Sequence, residues 1–263
     1  MRGSKKTLSV RLVYLTHQNR LLRGLALATA FTAIGSSAIA QSAPTTTSGS
    51  KWESSAALGF TLSTGNSETL LGTADFNGTK KWDAYEWIVG ANLTYGENDG
   101  NKNADSQRIL TQLNWLVSER AFAFGRIEAV RDTIADIDYR IPISAGMGYY
   151  FIKNKQTFLS AEVGPGFVFE KKGGISDSYL TLRAAERFEH KFNDNVKLWQ
   201  SLEYTPQVDN FDNFQVVGEI GLEAKLSNAL SLRTYFQDTY VNKPAAGRKD
   251  NDAKIITAIA YKF

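Results

Sequence analysis

Cysteine is absent from the 263 residues of the chain, and only five prolines and two histidines occur. Without cysteine the chain forms no disulfide, so its stability has to come from the fold itself. Beyond residue 50 there is no run of about 18 apolar residues, which excludes a membrane-spanning helix in that part of the sequence. The absence of such a run does not exclude a transmembrane β-barrel, because apolar and polar residues alternate in barrel strands.

The side chains that most enzymes and metal sites use are scarce. His190 is the one histidine beyond residue 50, and neither an acid nor a serine stands at an evident hydrogen-bonding spacing from it. Neither a zinc-ligand spacing nor a phosphate-binding loop is present. The acidic stretches DTIADID and DNFDN offer oxygen ligands for Ca²⁺ but lack a known loop pattern. We therefore predict no enzymatic activity, no cofactor and no metal site, with a membrane-embedded hydrolase as a remote alternative.

The first 50 residues differ from the rest of the chain. They contain six cations and no acid. All six cations precede the apolar stretch LALATAFTAIGSSAIA, which ends on the small residues Ala38 and Ala40. This order is typical of a secretory signal peptide, so we predict a signal over residues 1–40 and a flexible linker over 41–50. A membrane anchor is the alternative for the apolar stretch.

Removal of the signal peptide reverses the charge balance. The other 24 of the 30 cations then face 27 anions, so the basic character of the precursor belongs to the signal. The remaining chain has no excess of positive charge to attract nucleic acid, and no nucleic-acid partner is predicted.

From residue 51 onwards, apolar residues recur at every second position in about a dozen segments. In one of them Tyr85, Trp87 and Val89 share one row, while Glu86 and Asn92 lie on the other. A period of two is the period of a β-strand with two different faces.

Short and long connections alternate between these segments, as in SER at 118–120 and DTIADIDY at 132–139. Transmembrane barrels have this arrangement, with short turns on the periplasmic side and longer loops outside. We predict an all-β fold over residues 51–263, a transmembrane antiparallel up-and-down β-barrel of about 12 strands with short periplasmic turns and longer extracellular loops. A soluble β-protein is the alternative.

Aromatic residues agree with this prediction, because many of them fall near segment ends where interfacial girdles belong. Trp87, Trp115, Phe158 and Tyr261 are among them. Glu186 is an exception in the lipid-facing row, and we expect it near the lipid headgroups.

The opposite rows have to face the lumen, and they carry charges of both signs. The predicted lumen-lining residues are Arg108, Arg126, Glu128, Arg140, Glu162, Arg183, Arg187, Glu203, Glu219 and Arg233. Two interpretations stay open. The charges line a narrow channel that selects small solutes, or they form a salt-bridge network that fills a closed structural or surface-interaction barrel. In the channel interpretation, four arginines (108, 126, 183 and 233) oppose the glutamates 128, 162 and 219 at a constriction.

Several segments resemble a known family. They are STGNSETLLG (63–72), FGRIEAVRD (124–132), DYRIPISAGMGYYFI (138–152), AEVGPGF (161–167), DNVKL (194–198), LSNALSLR (226–233) and DAKIITAIAYKF (252–263). These segments resemble those of the salt-induced outer membrane protein family, domain of unknown function number 481. They occur in the same order as in the family, and the resemblance covers nearly all of residues 51–263. The resemblance implies an outer-membrane β-barrel of Gram-negative bacteria, a link to salt or osmotic stress and no defined activity.

The ending of the chain resembles the signal that the barrel-assembly machinery reads in outer-membrane proteins. The residues concerned are Tyr261 and Phe263, which close a segment of alternating apolar residues. The expected partners are therefore this machinery during biogenesis, and outer-membrane lipids and lipopolysaccharide in the finished, monomeric barrel.

Overall fold

The computed structural model describes residues 52–64, 69–98 and 101–263, and over 60–64 and 69–71 it describes the backbone only. The predicted signal peptide and linker lie outside the described residues. The strands are β1 (Trp52–Thr64), β2 (Thr69–Trp82), β3 (Tyr85–Asn98), β4 (Asn101–Leu116), β5 (Ala121–Asp132), β6 (Ile137–Lys153), β7 (Thr157–Lys172), β8 (Ile175–Lys191), β9 (Val196–Pro206), β10 (Phe214–Lys225), β11 (Leu230–Val241) and β12 (Asn251–Lys262). In this part of the chain no helix is long and apolar enough to cross a membrane.

The strands form one closed antiparallel barrel in which each strand pairs with its neighbours in the chain. Closure is made by β1 and β12, where Ala57 lies opposite Ala260 and Gly59 opposite Ala258. The predicted 12-stranded up-and-down topology is confirmed. Closure satisfies the backbone groups that an open sheet edge would leave unpaired in lipid.

Side chains alternate between an apolar outer wall and a polar interior. On β4, Ile109 is 65% exposed and Leu113 is 45% exposed, whereas the inward Arg108 and Gln112 are 7% and 0% exposed. A barrel with apolar residues outside and charges inside is suited to a lipid environment, and the fold is that of a transmembrane barrel.

The two ends of the barrel differ, and we name them by what they carry. The terminus rim holds the start of β1, the end of β12 and the turns 83–84, 117–120, 154–156, 192–195 and 226–229. Of the described connections, the loop rim holds 133–136, 173–174 and the longer loops 207–213 and 242–250. Several connections that read as loops in sequence are largely strand. In EKKGGISD, for example, β7 and β8 continue up to a two-residue turn of Gly173 and Gly174, both with positive φ.

Three prolines interrupt the ladders on one side of the barrel. Pro142 falls in the gap between β5 and β6, Pro165 in the gap between β6 and β7, and Pro206 in the gap between β8 and β9. The register is the same on both sides of each gap; between β8 and β9 the far side is the bridge of Thr181 to Gln207. The pairing resumes in register because proline lacks only the N–H that the ladder needs. Within the second gap, Gly146 and Gly164 face each other so closely that a Cβ on Gly146 would lie 2.2 Å from the carbonyl oxygen of Val163.

Candidate functional site

The strand register turns all ten predicted lumen-lining residues into the barrel. Seven of them are buried, namely Arg108, Arg126, Glu128, Arg140, Arg183, Arg187 and Glu219. Glu162, Glu203 and Arg233 are half-buried. A barrel of this width therefore packs its charges against one another instead of leaving them in bulk water.

The centre of the interior is a set of ion pairs and amide bonds that we call the cross-lumen network, formed by Arg108, Gln112, Arg126, Glu128, Glu162, Arg183 and Glu203. Arg108 holds Glu128 with two bonds, Nε to Oε1 at 2.6 Å and Nη2 to Oε2 at 2.7 Å. Arg126 donates to the same carboxylate at 2.9 Å through Nη2. One carboxylate thus serves two buried guanidinium groups.

The network joins strands that are not neighbours. Gln112 on β4 donates to Glu162 on β7 over 2.9 Å, and Arg126 on β5 lies 3.9 Å from Glu203 on β9. Arg183 bridges Glu162 and Glu203, with Nη1 and Nη2 at 2.7 and 2.8 Å from their carboxylate oxygens. Because these contacts span the lumen, the network forms a bridge across it.

The predicted constriction is reproduced only in part. Arg108, Arg126 and Arg183 do meet Glu128 and Glu162, and Glu203 joins them. The other members of the predicted set lie nearer the terminus rim. Arg233 approaches Glu223 at 3.4 Å, and Glu219 accepts hydrogen bonds from Trp199 at 2.5 Å and Gln237 at 3.2 Å.

Between the network and the terminus rim the interior is packed with rings. On one side Phe122, Phe124, Tyr150 and Phe158 form a buried cluster, and on the other Trp199 and Tyr235 pack with Ile256. Trp199 and Phe122 are 2% and 1% exposed. We call these seven residues with Glu219 and Gln237 the closing layer.

Sequence reasoning missed the closing layer, because an inward aromatic has the same period as an outward one. Phe158, which was predicted for the outer girdle, points inward. A signal was present in the glycines that make room for the rings. The Phe122 ring lies where a Cβ on Gly148 would be, 2.1 Å from it, and the Trp199 ring lies 2.5 Å from the Cβ position of Gly221.

Two cavities lie on opposite sides of the closing layer. The loop-side chamber has a volume of about 150 Å³ and is lined by five arginines, three glutamates of the network and several hydroxyl groups. The terminus-side vestibule has a volume of about 320 Å³ and is lined by lysines and acids of the terminus rim. Among the residues whose side chains the structure describes, none lines both cavities.

The strands show directly what separates the cavities. On β9, Trp199 lies between Ser201, which lines the chamber, and Lys197, which lines the vestibule. On β8 two successive inward residues line different cavities. Arg187 lines the chamber and Glu189 lines the vestibule, and the two side chains form an ion pair. Along β8 and β9, therefore, a thin packed layer separates the two cavities.

Residues 56–263 match the model of a family described as "Protein of unknown function, DUF481". The chain belongs to this family. No curated protein matches it in sequence.

Among solved structures, the barrel is similar to the NanC porin, with a TM-score of 0.55 at 6% identity, over 79% of this chain and 100% of that one. The KdgM porin has a TM-score of 0.48 at 7% identity, over 80% and 99% of the two chains. The translocator domain of the autotransporter NalP from Neisseria meningitidis has 0.49 at 14% identity, over 81% and 88%. The likeness is one of fold, and the barrel resembles outer-membrane porins.

The outer wall of this DUF481 barrel carries the remaining residues that the sequence singled out. Glu186 lies on the outer wall, two residues farther from the terminus rim than Phe188. It accepts a hydrogen bond from Gln200 on β9. His190 also lies outward, with Nδ1 3.0 Å from the hydroxyl of Thr157 and its ring beside Phe192. In the described part of the chain no three His, Cys, Asp or Glu side chains are grouped as metal ligands.

The C-terminal residues complete the barrel seam at the terminus rim. Phe263 exchanges two backbone hydrogen bonds with Ser54, at 3.0 and 3.3 Å. Its ring is 62% exposed on the outer wall and lies 6.0 Å from the ring of Tyr261. An exposed terminal ring held on a paired strand is accessible to a protein that recognises it.

Proposed function

We propose that this protein is a narrow channel of the Gram-negative outer membrane that admits small polar solutes and is closed at rest by the closing layer. It is exported by the signal peptide over residues 1–40, followed by the linker over 41–50. The terminus rim faces the periplasm and the loop rim the outside. The porin-like fold, the apolar outer wall and the charged interior support this assignment.

The thinness of the closing layer is the observation that carries the proposal. Arg187 and Glu189 are successive inward residues of one strand, and two strand residues rise only about 6.6 Å. A wall built to be permanently solid has no need of cavities of about 150 and 320 Å³ that reach to within this distance of each other. Contacts of this layer are hydrogen bonds and ring packing, which rearrange without breaking the barrel wall.

A closed barrel that serves the envelope structurally, or as a surface for interactions, is the second candidate. The cross-lumen network favours it, because buried ion pairs and hydrogen bonds that join non-neighbouring strands rigidify the interior. The two candidates differ in one property, which is whether the closing layer ever opens in a lipid bilayer.

Planar-bilayer recording separates the candidates. We expect the purified barrel to give brief openings from a closed baseline, with the open frequency rising at higher voltage, because the layer is held only by non-covalent contacts. Bilayers that receive the detergent alone are the control. A baseline that stays closed over a wide range of voltage would contradict the channel and favour the structural barrel.

We also propose how the barrel is assembled and what surrounds it in the membrane. Tyr261 and Phe263 serve as the assembly signal for the barrel-assembly machinery, and the exposed Phe263 ring supports that role. The finished barrel is a monomer surrounded by outer-membrane lipids and lipopolysaccharide, and its channel activity serves salt or osmotic stress.

A further inference from the structure

The outward-facing tryptophans of the barrel are gathered on one side. Four of the five tryptophans point outward, and all four lie on β1–β4 close to the terminus rim, namely Trp52, Trp82, Trp87 and Trp115. Strands on the other side have phenylalanine or tyrosine at this rim, as at Tyr149 on β6 and Phe188 on β8. A girdle that serves only to position the barrel in the bilayer has no need of this concentration of indoles.

A lysine lies between two of these tryptophans in the outward row. Lys80 on β2 is opposite Trp52 of β1 and opposite Trp87 of β3. The two indole rings lean over β2 and meet at a centroid distance of 5.4 Å. Gly78 leaves room for them, since a Cβ at that position would lie 3.3 Å from the Trp52 ring. The rings and the lysine therefore form one cluster instead of three separate surface residues.

The ammonium group of Lys80 is flanked by rings. Its Nζ lies 5.9 Å from the ring centroid of Trp52 and 5.9 Å from that of Trp82, within the reach of cation–π attraction. Trp82 in turn stacks on Tyr85 at a centroid distance of 5.8 Å. We call this cluster the indole–lysine patch, formed by Trp52, Lys80, Trp82, Tyr85 and Trp87.

The patch has hydrogen-bond donors without acceptors. Among the described residues, Lys80 Nζ makes neither a hydrogen bond nor an ion pair, although an ammonium group has three donors. The indole N–H groups of Trp52 and Trp82 also lack an acceptor in the described part of the chain, whereas that of Trp87 donates to Thr111. The free donors of the patch therefore suit an anionic acceptor that comes from outside the protein.

No carboxylate of the described residues lies within ion-pair distance of Lys80. Glu86 faces the lumen and pairs with Lys81 at 3.2 Å, and Glu53 lines the vestibule. Asp83 is exposed in the turn 83–84 and forms no ion pair with Lys80. The outward side of the patch thus presents an unpaired positive charge.

The patch can be reached from the lipid. Trp52, Tyr85 and Trp87 are 43%, 39% and 38% exposed on the outer wall. Lys80 is half-buried, and its Nζ is not one of the enclosed polar atoms of the described chain. A ligand at this place meets apolar rings and a cation together, which fits an amphiphile with a negatively charged headgroup.

We propose that the indole–lysine patch binds one glycerophospholipid. Its phosphate accepts hydrogen bonds from Lys80 Nζ and from the indole N–H groups of Trp52 and Trp82, and its acyl chains run along the apolar outer wall. The site itself depends only on the lipid-facing wall. Its assignment to the periplasmic leaflet rests on the proposed function, which places the terminus rim at the periplasm.

Native mass spectrometry of the full mature barrel released from detergent tests this site, with phosphatidylglycerol as the probe. Diacylglycerol with the same acyl chains lacks the phosphate, and glycerol phosphate lacks the chains. We expect one phosphatidylglycerol to be retained per barrel, with an affinity at least tenfold higher than that of either comparison ligand. Equal retention of diacylglycerol would show that the phosphate is not recognised, and equally tight binding of glycerol phosphate would show that the lipid is not. Either result would overturn the proposal.

Variants locate the site. Lys80→Gln is expected to weaken phosphatidylglycerol binding at least tenfold, whereas Lys80→Arg should stay within threefold because a guanidinium also binds phosphate. Lys155→Gln is the matched control, since Lys155 is exposed in the turn 154–156 of the same rim, and it should bind within twofold of the parent chain. Binding within twofold in Lys80→Gln, or equal losses in Lys80→Gln and Lys80→Arg, would overturn the assignment.

Retention of a lipid on the outer wall does not require the closing layer to open. A barrel that retains phosphatidylglycerol through Lys80 but never conducts would refute the channel and leave the lipid site intact. A barrel that conducts but retains the lipid equally well in Lys80→Gln would do the reverse.

Discussion

Replacement of Glu128 by glutamine is expected to lower the free energy of unfolding by about 3–5 kcal/mol, the usual cost of removing one partner of a buried ion pair. Glu128 is 6% exposed and balances Arg108 and Arg126, which are 7% and 8% exposed. Glutamine keeps the volume but loses the charge, and its amide NH₂ would face a guanidinium donor. Two buried cations would then share one neutral oxygen.

Denaturant titration of the barrel in detergent, followed by the fluorescence of its five tryptophans, measures this loss. The matched control is Asp138→Asn, which removes an ion pair of 2.7 Å to Lys171 in which the side chains of Lys171 and Asp138 are 40% and 58% exposed. Exposed pairs contribute about 1 kcal/mol or less, so the control should change little. If both variants lost the same small amount of unfolding free energy, the cross-lumen network would not stabilise the barrel.

Removal of the Trp199 side chain is expected to open the lumen. Trp199 is 2% exposed, lies over Gly221 and stands on β9 between a chamber residue and a vestibule residue. Alanine at this position leaves a gap where the indole separated the two cavities. We expect the open probability of Trp199→Ala in planar bilayers to exceed that of the parent barrel at least tenfold.

Trp115→Ala is the matched control for this variant. Trp115 is 53% exposed on the outer wall, so its removal leaves the lumen unchanged. Loss of a buried tryptophan also destabilises a protein by about 3–5 kcal/mol, so the folded state of Trp199→Ala should be checked by its strand circular dichroism before recording. A folded Trp199→Ala barrel with the closed baseline of its parent would show that another part of the lumen blocks the path.

Strand period was enough to predict which row of side chains faces inward. Arg108 and Gln112 share one parity on β4, and Ile109 has the other, so the inward row followed from the lipid-facing one. The pairing of β12 with β1 also followed, since an even number of antiparallel strands brings the two ends of the chain to one rim. Strand ends were less predictable, because Gly173 and Gly174 form a tight turn inside what read as a polar loop.

Contacts across the lumen could not be read from the sequence. The bond between Gln112 and Glu162 joins strands that are three positions apart around the barrel, and it depends on the barrel's radius and on the stagger of its strands. A pattern along one strand carries no information on either. The aromatic closing layer was missed for a related reason. An inward ring differs in sequence from a lipid-facing one only by a glycine opposite it on the next strand, as Gly148 lies opposite Phe122 and Gly221 opposite Trp199.

Cysteine accessibility tests most directly whether the closing layer divides the lumen, and the chain offers a clean background because it has no cysteine of its own. Thr205→Cys places a thiol in the loop-side chamber, and Lys225→Cys places one in the terminus-side vestibule. In vesicles that hold the barrel in one orientation, a charged thiol reagent is expected to modify Thr205→Cys at least tenfold faster from the loop side. Lys225→Cys is expected to show the opposite preference. Similar rates from both sides for either thiol would contradict a lumen that is closed at rest.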